Sequence, residues 1–287
     1  MRRNGELARD YAARHGVPRW YDNAEALIND PEVDAVYIAT PPSSHMQYTL
    51  LSAQAGKPVY VEKPMALDTS QCHAMIDACR VANVPLFVAY YRRALERFRA
   101  IKRLIDSQTI GEGRYVTITL CQPVVIPTDR DLPWRLNPAI SGGGLFVDLA
   151  AHMLDLLDFM LGPISRVHGI ATNQAGHYPA EDIVSGAMLF ESGVHAVGTW
   201  CFSSGEQRDQ TEIIGTTGTI SYATFGRQPV IMTTPDRRQE LVFEDPPHIQ
   251  QPLIQSVVDA LNGVGVCPSS GDSALRTSWV IDQMLGR

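Results

Sequence analysis

Apolar positions in the first third of the chain come as short, nearly continuous runs separated by stretches with helical spacing. "NGELARDYAARHGVP" and "NAEALINDPEV" read as helices, the first stopped by a Gly-x-Pro and the second by Pro31. "VDAVYIAT" is too short and too β-branched for a helix and is bounded by Pro41 and Pro42, so it is predicted as a strand. "SSHMQYTLLSAQAG" opens with Ser44 at capping-box distance from Gln47 and closes on Gly56, which predicts a helix. "KPVYVE" and "PLFVAY" are predicted strands, and "LDTSQCHAMIDACRVAN" between them is a predicted helix capped by Asp68 or Thr69. Strands without polar alternation, joined by helices, imply a parallel sheet covered on both faces, with right-handed crossovers.

After about residue 112 the rhythm changes. "GRYVTITLCQPV", "SRVHGIATNQA", "DIVSGAMLFESGVHAVGTWCFSS" and "TEIIGTTGTISYAT" succeed one another with "ESG" and "TTG" where hairpin turns belong, which predicts an antiparallel meander. One long apolar helix, "GGLFVDLAAHMLDLLDFMLG", interrupts it, and helical stretches near 248–262 and 271–285 end the chain. The expected division is a parallel α/β domain over residues 1–92 and an α+β domain over 93–287.

With 287 residues, 45% of them hydrophobic, the chain can bury the cores of two domains without disulfide or metal staples. A net charge of −7 with no long basic run gives no footprint for nucleic acid or an anionic membrane, so small molecules are the expected partners. The five cysteines are scattered and lack metal-type spacing, which implies free thiols in a reducing compartment. No apolar run reaches the ~18 residues of a membrane span, and "MRRNGELARD" lacks the apolar centre of a signal peptide. The expected location is cytoplasmic.

Ligands of open parallel sheets bind outside the carboxyl ends of the strands. Thr40, Pro41 and Pro42 end one strand and Glu62, Lys63 and Pro64 end its neighbour, so both turns face one crevice. Glu62-Lys63 reads either as a solvated pair or as charge carried to that crevice, and Pro64 fixes the backbone direction of Lys63 in a bond that can be cis. In the long apolar helix, Asp148, His152 and Asp155 fall within an arc of roughly 60°. Three readings stand: a core histidine bonded to a carboxylate one turn away; a metal ligand, for which no further His or Cys spacing exists; and a general base whose carboxylate neighbour sets its tautomer and raises its basicity.

"AVYIATPPSSH", "VYVEKPMAL", "WRLNPAISGGGLFVDLAAHMLDLLDFMLG" and "EIIGTTGTI", in this order, resemble the Gfo/Idh/MocA oxidoreductases over almost the whole chain. The resemblance implies a Rossmann-type parallel-sheet domain, here truncated, followed by a mostly antiparallel open-faced sheet domain with helices on one face. It implies that Lys63 touches both the nicotinamide and the reacting hydroxyl, that His152 accepts or donates the proton, and that Asp148 positions substrate and His152. Glu62 would hold or neutralise Lys63. Arg2, Arg3, Thr40, Pro41, His45, Glu62, Lys63, Trp134 and Arg135 would contact NADP or NAD, and no metal is implied. The open face of the second sheet would pair with another subunit in a homodimer or homotetramer.

In one respect the sequence departs from that family. A Rossmann domain begins with a strand and G-x-G-x-x-G, then a second strand, and none of these is present; "MRRNGELARD" matches the segment after the second strand. Val33–Ala39 would then have an unpaired apolar edge, and an incomplete start is the preferred explanation. Arg2 and Arg3 stand where an arginine accommodates the 2′-phosphate of NADP, with no acidic residue before Glu6, which favours NADP over NAD. The expected function is an NAD(P)-dependent oxidoreductase acting on a sugar, polyol or similar hydroxylated substrate. A glycosidase using bound NAD and a non-catalytic sugar sensor are the alternatives.

Overall fold

The computed structural model describes every residue except 3, 125 and 127–131. Asn4 starts α1 (Gly5–His15) by accepting the Leu7 N–H at 3.1 Å, and Asn23 does the same for α2 (Ala24–Ile28) through the Ala26 N–H. The alternation of strands and helices then runs β1 (Val36–Ile38), α3 (His45–Gln54), β2 (Val59–Val61), α4 (Thr69–Val81) and β3 (Leu86–Val88). Asp68, not Thr69, caps α4, accepting the Gln71 N–H at 2.8 Å. The capping box expected at Ser44 is not formed, because Pro42–Ser44 make a 3-10 turn that leads straight into α3 and leaves the Ser44 side chain without a cap bond.

The three strands form a parallel sheet in the order β1-β2-β3, with Val36, Tyr37 and Ile38 opposite Val59, Tyr60 and Val61. All of β2 and β3 is buried, as expected of strands covered on both faces. β1 stands at the edge.

The second half begins with α5 (Glu96–Asp106), an amphipathic helix absent from the sequence expectations, and β4 (Gly113–Cys121). Next come α6 (Pro138–Ser141), α7 (Leu145–Leu161), β5 (Ile164–Thr172), β6 (Ile183–Phe190), β7 (His195–Cys201), β8 (Arg208–Gly215) and β9 (Thr219–Tyr222). A further hairpin, β10 (Val230–Thr234) and β11 (Arg237–Leu241), is likewise additional to those expectations, and α8 (Gln251–Leu261) and α9 (Gly271–Leu285) close the chain. The eight strands run β11-β10-β9-β8-β4-β7-β6-β5. This corrects the expected simple meander: β4 sits in the middle, antiparallel to β8 but parallel to β7.

One face of this sheet buries Val116, Ile118, Leu120, Val184, Met188, Trp200 and Ile213 against α7 and its neighbours. The other is uncovered in the single chain, and there Tyr115, Ile170 and Val197 are 47, 64 and 53% exposed. Across it, register sets His168, Ala187, Val197, Thr117 and Glu212 in one row.

Candidate active site at the end of the parallel sheet

Lys63 lies just beyond the end of β2, and the Lys63–Pro64 peptide is cis. Its ammonium donates to the Asp148 carboxylate at 2.5 Å and to the Asp148 carbonyl at 2.9 Å, joining the parallel sheet to the first turn of α7. The start of α7 is fixed from two sides. Gly142 has φ 83°, and a Cβ there would lie 2.9 Å from the Leu67 carbonyl, so only glycine lets the chain turn against that strand-end loop. The half-buried Glu181 carboxylate accepts the Gly144 N–H at 3.0 Å, and its partial burial pushes that carboxyl above its ordinary range. Arg135 lies 3.4 Å from the second oxygen of Asp148, with its guanidinium stacked 4.3 Å over the Trp134 ring. Lys63, Asp148, Trp134 and Arg135 are therefore brought together.

His152 lies one turn further along α7 and is 4% exposed. Tyr90, Tyr91 and Phe225 meet its ring edge-on, with centroids 6.2, 5.4 and 6.0 Å away. Its Nδ1 is buried and has no hydrogen-bond partner among the described residues. This overturns the reading of a core histidine satisfied by a carboxylate, and also the expected gain in basicity. Asp155 points instead to Arg93, at 2.8 and 2.7 Å, because Arg93 enters from the segment after β3 and is itself 4% exposed. The Asp148 oxygens are engaged by Lys63 and Arg135.

Burial, and then the positive charges of Lys63 and Arg92, hold the His152 imidazole well below its ordinary 6.5, so it is neutral at neutral pH. Unfolding restores the ordinary value. As pH falls through 6.5 the unfolded chain takes up a proton that the folded chain refuses, so this group lowers stability progressively below that point and leaves it unchanged above it. On acidification His152→Gln is therefore expected to lose less stability than the wild type in urea unfolding. Equal losses in both proteins would mean that the imidazole is not held neutral.

Two expected site residues are placed differently from the sequence reading. Glu62 does not pair with the Lys63 ammonium: its carboxylate accepts from Tyr37 at 2.6 Å, from Gln250 at 3.1 Å and from the Lys63 backbone N–H at 3.2 Å. The side chain turns along the strand edge because Asp148 already occupies the ammonium. His45 is fully buried, with Nε2 2.8 Å from the Thr40 carbonyl and Nδ1 3.1 and 3.2 Å from those of Pro64 and Met65. It ties the turn after β1 to the turn after β2 and presents no ring nitrogen to the crevice.

Thr40 and Pro41 follow the end of β1, and the Thr40 hydroxyl is buried without a partner among the described residues. An orphaned hydroxyl beside the strand ends suits a polar ligand there. Arg2 packs its guanidinium 5.3 Å from the Tyr11 ring, and Arg3 lies outside the described residues. The surroundings of His152, Tyr90 to Arg92 and Phe225, were missed by the sequence reading. The strand-end rule that found Lys63 applies equally to "YYRR" after β3.

Residues 1–90 match the family model for the oxidoreductase family with an NAD-binding Rossmann fold, and residues 98–221 match that of the GFO/IDH/MocA C-terminal domain. An oxidoreductase of Formosa agariphila is 37% identical over the whole of this chain and 89% of its own length. The chain belongs to the Gfo/Idh/MocA family. It is an NAD(P)-dependent oxidoreductase, and its N-terminal part is the NAD-binding domain. The 1,5-anhydro-D-fructose reductase of Ensifer adhaerens is 29% identical over 96% of this chain and 83% of its own. Among solved structures, levoglucosan dehydrogenase in complex with NADH and levoglucosan superposes with a TM-score of 0.87 at 24% identity, covering 99% of this chain and 86% of that one. That likeness concerns the fold.

Proposed function

We propose that this Gfo/Idh/MocA oxidoreductase interconverts a hydroxyl and a carbonyl on a sugar, polyol or similar small molecule, with His152 and Lys63 handling the proton. The observation that carries the reading is a buried imidazole, its Nδ1 without a partner among the described residues, one helical turn from the Lys63–Asp148 pair. When bound at the strand ends, a nicotinamide cofactor supplies the two-electron oxidant or reductant. Thr40, Pro41, Lys63, Trp134 and Arg135 are the residues we assign to holding cofactor and substrate.

His152, with no partner on Nδ1 among the described residues, accepts the proton of the reacting hydroxyl and returns it in the reverse direction. Lys63 places positive charge beside the oxygen on which negative charge develops, and Asp148 keeps that ammonium in place. The sugar-active relatives, among them the 1,5-anhydro-D-fructose reductase, support the choice of substrate class. The test is net turnover of NAD or NADP over a panel of sugars and polyols. Cofactor consumption in step with product establishes the reading, whereas glycoside cleavage without net consumption replaces it.

For the cofactor, Arg2 and the absence of an acidic residue before Glu6 support NADP. NADP is expected to bind tighter than NAD, with the margin shrinking in Arg2→Ala; tighter NAD binding that is indifferent to Arg2 overturns this. The uncovered sheet face, with Tyr115, Ile170 and Val197 exposed, supports pairing with a second copy, which static light scattering at micromolar concentration checks. A cytoplasmic setting belongs to the same reading and is supported by five free cysteines.

A further inference from the structure

A cavity of about 880 Å³ opens beside His152, between Arg92 to Arg99, the loop after β9 and the stretch before α8. Phe225 and Arg92 belong to both places: Phe225 meets the imidazole edge-on, and the Arg92 charge acts on it. Gln250, at the other end of the cavity, donates to Glu62 at the end of β2.

Its floor carries two guanidinium groups in an unusual state. Arg92 gives one N–H to the Thr224 carbonyl at 2.7 Å and is held between the Tyr91 and Phe225 rings at 5.2 and 4.7 Å. Arg97 gives one to the Gly226 carbonyl at 3.1 Å. Nε of Arg92 and both Nε and Nη2 of Arg97 are buried without a partner, and among the described residues neither side chain has a carboxylate at ion-pair distance. Burial first, and the charge of Arg92 in addition, disfavour the charged form of Arg97.

Of the acids nearby, Asp209 and Asp245 bear on both guanidiniums through their charge alone, Glu244 also lines the cavity, and the others are engaged elsewhere. Asp209 accepts three backbone N–H groups, from Thr224, Phe225 and Gly226, at 2.9, 2.6 and 3.0 Å. Asp245 pairs with Arg227 at 2.9 Å, and Glu96 pairs with Arg103. Arg93, next in sequence, is by contrast fully matched by Asp155 and Asp158. A buried guanidinium with free donors is costly unless an anion completes it, and its flat fork matches carboxylate or sulfate oxygens.

We infer that this cavity takes an anionic oxygen group, carboxylate or sulfate, carried by the substrate whose hydroxyl reacts at His152. The substrate is then an acidic sugar or polyol. This rests on the oxidoreductase reading for the reacting hydroxyl, but the cavity's preference for an anion does not.

Calorimetric titration of the whole chain with glucose, glucuronate and glucose 6-sulfate tests it. At least one anionic sugar is expected to bind about 10- to 100-fold tighter than glucose, the range that charge-assisted hydrogen bonds supply. Whichever anion binds tighter identifies the group. Arg97→Gln should abolish the preference and Arg97→Lys should keep part of it, with circular dichroism confirming the fold. Equal binding of glucose and both anions, no anion binding at millimolar concentration, or a preference unchanged in a folded Arg97→Gln overturns the assignment. Nicotinamide turnover is measured separately. A preference for anions without turnover of any sugar leaves the cavity assignment standing and removes the proposed reaction on a sugar hydroxyl, while turnover of neutral sugars without the preference does the reverse.

Discussion

Replacing His152 or Lys63 with alanine is expected to lower turnover by about 10²–10⁴-fold, the range that a positioned acid or base contributes. The two losses have different origins. Without His152 no neutral side chain at that point takes the hydroxyl proton, since Asp155 is committed to Arg93 and Asp148 to Lys63 and Arg135. Without Lys63 the positive charge beside the reacting oxygen is gone, and among the described residues Asp148 keeps the longer contact to Arg135 at 3.4 Å. Steady-state rates at saturating cofactor, with circular dichroism to confirm folding, decide the matter. A variant that keeps near-normal rates while binding cofactor removes the role assigned to that residue.

The largest effect on stability is expected from Arg93→Ala. Arg93 reaches Asp155 with two donors, Asp158 at 3.1 Å and the Pro268 carbonyl at 3.1 Å, and Asp158 in turn takes two donors of Arg276 at 2.7 Å. The cluster joins the segment after β3, α7 and α9, so it fastens the helix that carries Asp148 and His152 to the rest of the chain. Removing the guanidinium leaves the Asp155 carboxylate, 0% exposed, with a long contact to Thr277 as its one remaining side-chain partner among the described residues. Breaking a buried pair in this way costs about 3–5 kcal/mol. Urea unfolding should show the midpoint fall with the slope unchanged. Arg93→Met combined with Asp155→Asn should recover part of the loss, because no charge is then stranded. A fall below about 1 kcal/mol in Arg93→Ala, the size of an exposed pair, would show that water reaches the cluster.

Much of the site is legible in the amino-acid pattern alone. Lys63 and Thr40 stand out because a strand end in a parallel sheet is a statement about local pattern, and Val59–Val61 and Val36–Ile38 are strands where that pattern puts them. Asp148 and His152 stand out as polar residues in an apolar helix, which is also local. Arg92, Arg97 and Phe225 were not read as site residues, since they meet only when the segment after β3 packs against the loop after β9. The pairing of Glu62 was misread for a related reason: adjacency in sequence put Lys63 beside it, but the ammonium is drawn to a helix far along the chain.

The sequence by itself determined most of the helices, the cap of α4 to within Asp68 or Thr69, most of the strands, and the polar positions of α7. These depend on periodicity and on hydrogen bonds within a few residues, which neighbours in the chain satisfy alone. Tertiary structure decided that β4 enters the middle of the large sheet, that Asp148 serves Lys63 while Asp155 serves Arg93, and that the His152 imidazole is left neutral. Asp148 and Asp155 share one helical face, so nothing local tells them apart. The distant cation that each meets separates them, and the strength of that meeting depends on distance and burial that only packing supplies.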